Sequence, residues 1–205
     1  ERARTTPAEG HGDTVYLMAV DRFGNAVSWI QSLFDTFGSR LVEPQTGIVL
    51  QNRGAGFVID PAHPNVIAPG KRPFHTLTPM LVTDAAGKLR MTIGTPGGHG
   101  QPQFLLQVYQ NLFTFGMTPQ QAVEAPNFTS WQMRDSFVPH EIYPGRVTLN
   151  DDIPDWTRRE LKSRGYKPEY ASRTSGPINA ILIDPAQGTF WGGSSNHGED
   201  YGIAW

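Results

Sequence analysis

Two apolar runs open the ordered part of the sequence: TVYLMAV from Thr14 and AVSWIQS from Ala26, flanking the polar segment DRFGN. The Gly24-Asn25 pair between them predicts a tight turn, so the whole reads as a β-hairpin. Shorter apolar runs at Gly47–Asn52, Pro79–Thr83 and Arg90–Gly94 predict further strands, the last two joined by DAAGKL. Asp60–Pro73 carries four prolines and reads as loop. The period then changes. Leu105, Leu106, Val108, Tyr109, Leu112 and Phe113 recur at helical spacing, which predicts a helix over Gln103–Phe115 that Gly116 ends. Thr118 begins TPQQAVEA, with Pro119 at the first helical position and Gln121 placed to complete a capping box. A third helix is expected over Pro154–Arg164, with Asp152 near its cap and Gly165 beyond its end. The chain closes with the strand INAILI (Ile178–Ile183), a turn at DPAQG and a strand at Thr189–Trp191. Strands, then helices, then strands predict α+β layers rather than alternating βαβ units. No repeat is visible at any period from about 20 to 50 residues.

Residues Glu1–Asp13 contain no aliphatic side chain larger than Ala and read as a tail or linker, leaving 14–205 as one domain. Hydrophobic residues make up 38% and charged residues 18%, enough for a core and too little charge for a disordered chain. A net charge of −2 argues against sequence-blind nucleic-acid binding. No apolar run approaches the roughly 18 residues that span a bilayer, so no membrane association is expected. The absence of cysteine removes disulfides, thiol catalysis and thiolate metal sites. It leaves the compartment open, with the cytoplasm slightly ahead of the periplasm. The six histidines show no i, i+4 pair, and no metal or organic cofactor is expected.

Three segments can carry chemistry. At Gly12-Asp13-Thr14 a polar stretch meets a strand at a threonine. Cleavage before Thr14 would give its hydroxyl an adjacent α-amine as base, with a pKa near ~8. The plainer alternative is a threonine that opens a strand. In GTPGGHGQ (Gly94–Gln101), consecutive glycines between strand and helix let backbone N–H groups converge on an oxyanion, unless they form only a tight turn. The segment lacks the Lys-Ser/Thr of a phosphate-binding loop and the spacing of a dinucleotide loop. KRPFHTLTP (Lys71–Pro79) offers cations, a His and two Thr for a carboxylate, or else a solvated basic loop.

Taken in order, TVYLMAVDRFGNAVS, FGS (Phe37–Ser39), TGIVLQN (Thr46–Asn52), the APGKRP…TP loop (Ala68–Pro79) and the PGG of GTPGGHG resemble the small, catalytic subunit of the γ-glutamyltranspeptidase family. The resemblance runs over Thr14–Trp205 and is strongest from Thr14 to Gly98. It implies a four-layer αββα sandwich of the N-terminal-nucleophile hydrolase type, of which this chain is the small-subunit half. It further implies a precursor that cleaves itself between Asp13 and Thr14, and a large subunit from that same precursor that completes the site. Carried over by position, Thr14 is the nucleophile, its freed amine the base, Ser32 a hydrogen-bond partner near it, and Gly97 and Gly98 the oxyanion donors. His75 and Thr76 stand where the family has paired serines that hold a substrate carboxylate.

The sequence also departs from the family. Phe34 replaces an asparagine, Arg53 a glutamine and Gly56 the aspartate that grips the glutamyl α-amine, while SSNHGED (Ser194–Asp200) replaces a Ser-Asp-Pro-Arg pattern. Losing a carboxylate and gaining a guanidinium disfavours an ammonium and favours an acidic, amine-free acyl group, as in the acylase-like and oxamate-amidohydrolase-like branches. The expected activity is therefore hydrolysis of a small linear amide through a threonyl ester, with Arg53, His75 and Thr76 binding the substrate. The alternatives are a true γ-glutamyl transferase or hydrolase acting on glutathione-like substrates, and an inert scaffold subunit.

Overall fold

The computed structural model describes residues 12–137, 140–198 and 200–204. Residues 1–11 of the expected linker lie outside the described residues. Gly12 and Asp13 are strand, so β1 spans Gly12–Val20 and begins two residues before Thr14. It pairs antiparallel with β2 (Ala26–Asp35) through the expected turn. There the Asp21 carboxylate accepts from the N–H groups of Phe23 at 2.8 Å and Asn25 at 2.9 Å.

A second, antiparallel sheet has the order β3-β4-β8-β9, from β3 (Met80–Thr83), β4 (Leu89–Gly94), β8 (Asn179–Asp184) and β9 (Thr189–Ser194). Strand β4 serves both faces of this sheet by strict alternation. Met91 and Ile93, both 0% exposed, point to helices α1 (Gln101–Phe113) and α2 (Pro119–Glu124). With Phe104, Leu105, Val108, Leu112, Val123, Ile178 and Ala180 they form the core. Each such large side chain contributes ~1.5–3 kcal/mol on burial. Thr92 and Gly94 instead meet Tyr16 of the β1–β2 ribbon. The stack thus runs helices, four-stranded sheet, ribbon. The ribbon's outer face exposes Val15, Leu17, Val27 and Trp29.

The capping box at Thr118 forms as expected, with Thr118 and Gln121 each accepting the other's backbone N–H. Helix α1 starts at Gln101, two residues earlier than expected, with Pro102 in its first turn. Helix α3 (Asp155–Ser163) has no side-chain cap, and Pro154 rather than Asp152 precedes it.

Two expectations are corrected. Gly47–Asn52 is not a strand: one bridge joins Val49 to Val42, while the Glu43 carboxylate gathers the N–H groups of Gln45 and Thr46 and the Thr46 hydroxyl. The local side chain outcompetes the ladder. A third sheet, β5 (Phe128–Ser130), β6 (Arg146–Asn150) and β7 (Lys167–Ala171), was not foreseen, and it includes one parallel β6–α3–β7 unit. Pro168 and its charged neighbours suit β7 because β7 is an edge strand.

Candidate active site

The register of the ribbon sets Thr14 opposite Ser32, and the inward-facing alternation turns both toward the second sheet. Their hydroxyl oxygens are 2.8 Å apart. Ser32 Oγ also accepts from Arg53 Nη2 at 2.8 Å and from the Phe34 N–H at 3.0 Å. A serine oxygen has two acceptor sites and one proton. With both acceptor sites filled, the Ser32 proton is the one donated to Thr14 Oγ1, and the threonine's own proton is left for another base. The chain Arg53–Ser32–Thr14 therefore ends in a hydrogen bond polarised by a cation.

Arg53 reaches this point because Asn52 ties its turn to the end of β2. Asn52 accepts from the Asp35 N–H at 3.1 Å, donates to the Asp35 carboxylate at 2.6 Å, and bonds the Leu33 carbonyl through its own N–H at 3.2 Å. The 3₁₀ turn Arg53–Gly56 then directs the guanidinium inward, where Nη1 donates to Thr76 Oγ1 at 3.2 Å. Arg53 is only 7% exposed, its Nε is buried without a partner, and among the described residues it has no ion-pair partner. Burial lowers its pKa, but a guanidinium stays charged. A buried cation without an anion is costly.

The strand pairing is irregular opposite the Asp13–Thr14 bond. Asp13 pairs with Phe34 and Thr14 with Ser32, which leaves Leu33 as an extra residue. Phe34 takes φ 80°, a left-handed conformation that costs an L-residue roughly 1–2 kcal/mol. Its ring offsets that cost. It stacks on Phe137 at 4.5 Å between centroids and 5° between planes, and Arg53 lies over it at 4.9 Å. Such aromatic and cation–π contacts contribute about 0.5–1.5 kcal/mol each.

Arg53, Thr76, Phe34, Gly56, Phe74, His75 and Ser136 line one cleft. Thr76 is buried, whereas His75 is exposed at the rim and its Nδ1 accepts from the Leu77 N–H at 3.2 Å. Gly97 and Gly98 lie between β4 and α1 with φ 139° and 54°, conformations that favour glycine. A Cβ on Gly98 would stand 3.6 Å from Ser136 Oγ and 3.3 Å from the Phe137 ring, so this turn borders the cleft through Ser136. Thr14, Ser32, Arg53 and Thr76 are thus joined by hydrogen bonds; His75 lines the cleft beside Thr76, and Gly98 touches it only through Ser136. Ser136 and Phe137 were not foreseen. Their segment has no periodicity, and only the fold brings it beside Phe34. Among the described residues no group of three or more His, Asp or Glu side chains is arranged to hold a metal ion.

Comparison with known proteins bears on this geometry. The family model described as gamma-glutamyltranspeptidase matches residues 1–205. The chain is 37% identical over 202 residues to the glutathione hydrolase-like YwrD proenzyme of Bacillus subtilis, a match covering 94% of this chain and 36% of that protein. It is 45% identical over 120 residues to the oxamate amidohydrolase proenzyme of Klebsiella pneumoniae, covering 58% of this chain and 22% of that protein. The crystal structure of cephalosporin acylase from Bacillus halodurans superposes with a TM-score of 0.82 at 35% identity, covering 93% of this chain and 34% of that one. The chain therefore spans about a third of the length of the first of these relatives. The α+β fold is of the N-terminal-nucleophile hydrolase type.

Proposed function

The chain belongs to the γ-glutamyltranspeptidase family, and on that premise we propose that it is the catalytic part of a self-processing amidohydrolase for a small, carboxylate-bearing, amine-free acyl substrate. In processing, Thr14 Oγ attacks the Asp13 carbonyl carbon, the acyl group moves from nitrogen to oxygen, and water opens the ester. That step frees the Asp13 carboxyl group and the Thr14 α-amine. In turnover, the amine takes the Thr14 hydroxyl proton as Oγ attacks the substrate amide, then returns it to the leaving amine. Water releases the acid from the threonyl ester. Ser32, itself held by Arg53, donates to Oγ1 as negative charge develops there, and the N–H groups of Gly97 and Gly98 receive the oxyanion. A large subunit from the same precursor covers the ribbon's apolar outer face and completes the site.

One observation carries the substrate class: among the described residues, the buried Arg53 guanidinium, bonded to Ser32 and Thr76, has no carboxylate of its own. Gly56 agrees with it. A Cβ there would already sit 3.1 Å from the Phe74 carbonyl, so the backbone leaves little room for an ammonium-binding aspartate. The oxamate amidohydrolase relative is named for a substrate of this chemistry.

The test is kcat/KM of the matured full-length protein on three amides: one with a carboxylate on the acyl side, its neutral isostere and a γ-glutamyl anilide. One charge-assisted contact favours the first over the second by roughly one to two decades. A γ-glutamyl anilide that outperforms both overturns the reading of Arg53 and Gly56. A folded precursor that never splits and turns over none of the three is a scaffold.

A further inference from the structure

We infer that Ser136 is a specificity-determining residue, donating its hydroxyl proton to the same substrate carboxylate that Arg53 holds. The inference rests on the reading of Arg53 given above. Ser136 is 7% exposed, lines the cleft with Arg53, His75 and Thr76, and its Oγ is buried with no hydrogen-bond partner among the described residues. A buried hydroxyl without a partner costs about 1–3 kcal/mol, and this one belongs to a residue that lines the cleft. Arg53 Nε is orphaned in the same way. Two unsatisfied donors on residues that line one small cleft match the acceptor sites of a single carboxylate, which has room for about four.

The position of Ser136 is fixed by its own segment. The Asp135 N–H bonds the Glu141 carbonyl at 2.9 Å, and the Tyr143 N–H bonds the Trp131 carbonyl at 3.0 Å, closing the loop on itself. The neighbouring Asp135 carboxylate is occupied by the Phe137 N–H at 2.9 Å and faces His99 at 3.5 Å. The Phe137 ring on Phe34 ties the segment to the ribbon. A hydroxyl held this way selects substrates by geometry as well as by charge. Its place between Arg53 and the Gly98 turn sets the carboxylate close to the reacting carbonyl, which favours short acyl groups.

The experiment uses the matured full-length protein and the amide pair described above, in wild type, Ser136→Ala, Ser136→Thr and Arg53→Ala. Ser136→Ala should lower kcat/KM on the carboxylate amide ~10- to 100-fold more than on its neutral isostere, chiefly through KM. Ser136→Thr keeps the hydroxyl and should restore most of the discrimination. If Ser136→Ala affects both substrates equally while Arg53→Ala still discriminates, Ser136 does not read the carboxylate and the reading of Arg53 stands. If neither substitution discriminates, the reading of Arg53 fails and the role of Ser136 fails with it. Thermal unfolding of each variant shows whether a loss on both substrates is a loss of fold.

Discussion

Gly94→Ala tests how β1, the strand that carries Thr14, is held. An added Cβ would lie 2.2 Å from Tyr16 Cε2 and 2.4 Å from both Cδ2 and Cζ, well inside contact distance. The ring cannot slide aside freely, because its hydroxyl bonds Ser28 at 2.8 Å and Thr92 at 3.1 Å. Burial also raises the Tyr16 pKa, which keeps the hydroxyl a neutral donor. Overpacking costs about 1–3 kcal/mol, and two strained or broken hydrogen bonds add about 1 kcal/mol each, so the substitution should cost ~3–5 kcal/mol. The assay is urea unfolding of the full-length precursor in a Thr14→Ala background, where cleavage does not intervene. The cost should be specific to Tyr16: in a further Tyr16→Ala background, Gly94→Ala should cost less than about 1 kcal/mol. Equal costs in the two backgrounds would show that Tyr16 is not what the added Cβ meets. Because Tyr16 is two residues from Thr14, Gly94→Ala in the otherwise native precursor should also slow cleavage.

Gly98→Val places a branched side chain at φ 54° against the Phe137 ring and should displace the N–H assigned to the oxyanion. The expected loss in kcat is ~10²–10³-fold, and a folded variant working at the native rate removes Gly98 from the mechanism. Arg53→Lys offers one ammonium in place of a fork that reaches both Ser32 and Thr76. Its cleavage rate, followed by gel, should fall below that of the native precursor, and an unchanged rate dissociates Arg53 from Thr14. His197 is held below the ordinary histidine pKa by burial and by Arg173, against smaller opposing effects of Asp200 and Glu124. The unfolded chain therefore binds this proton more readily, and stability falls as pH drops through about 6.5 toward the lower folded value. In urea titrations of the Thr14→Ala precursor, His197→Gln should flatten that acid-side decline, and an unchanged slope contradicts the assignment.

The hairpin, helix α1 and the Thr118 cap are legible in the sequence because each depends on neighbouring residues: a Gly-Asn turn, a 3.6-residue period, a threonine three places before a glutamine. The third sheet is not legible. Lys167–Ala171 becomes a strand only because β6 lies beside it, and nothing in KPEYA signals a parallel partner. Gly47–Asn52 fails for the opposite reason, since a single carboxylate at Glu43 redirects an apolar run that otherwise suits a strand. At the site, the motif order picks out Thr14, Ser32, Arg53 and Thr76, and the hydrogen bonds join them. Phe34 was visible as a departure, but its consequence was not. Only the structure pairs its left-handed backbone with the Phe137 stack and the Arg53 contact. Ser136 has no sequence signature, because its significance comes from the residues it faces across the cleft.

Thr14 is proposed to become an N-terminal nucleophile by cutting its own chain. Intact-mass analysis and N-terminal sequencing of the purified full-length precursor test it most directly. Two chains are expected, one beginning Thr-Val-Tyr-Leu-Met, and a single uncut chain without amidase activity is expected for Thr14→Ala. A folded native precursor that stays one chain, or that opens at another bond while turning over amides, contradicts it.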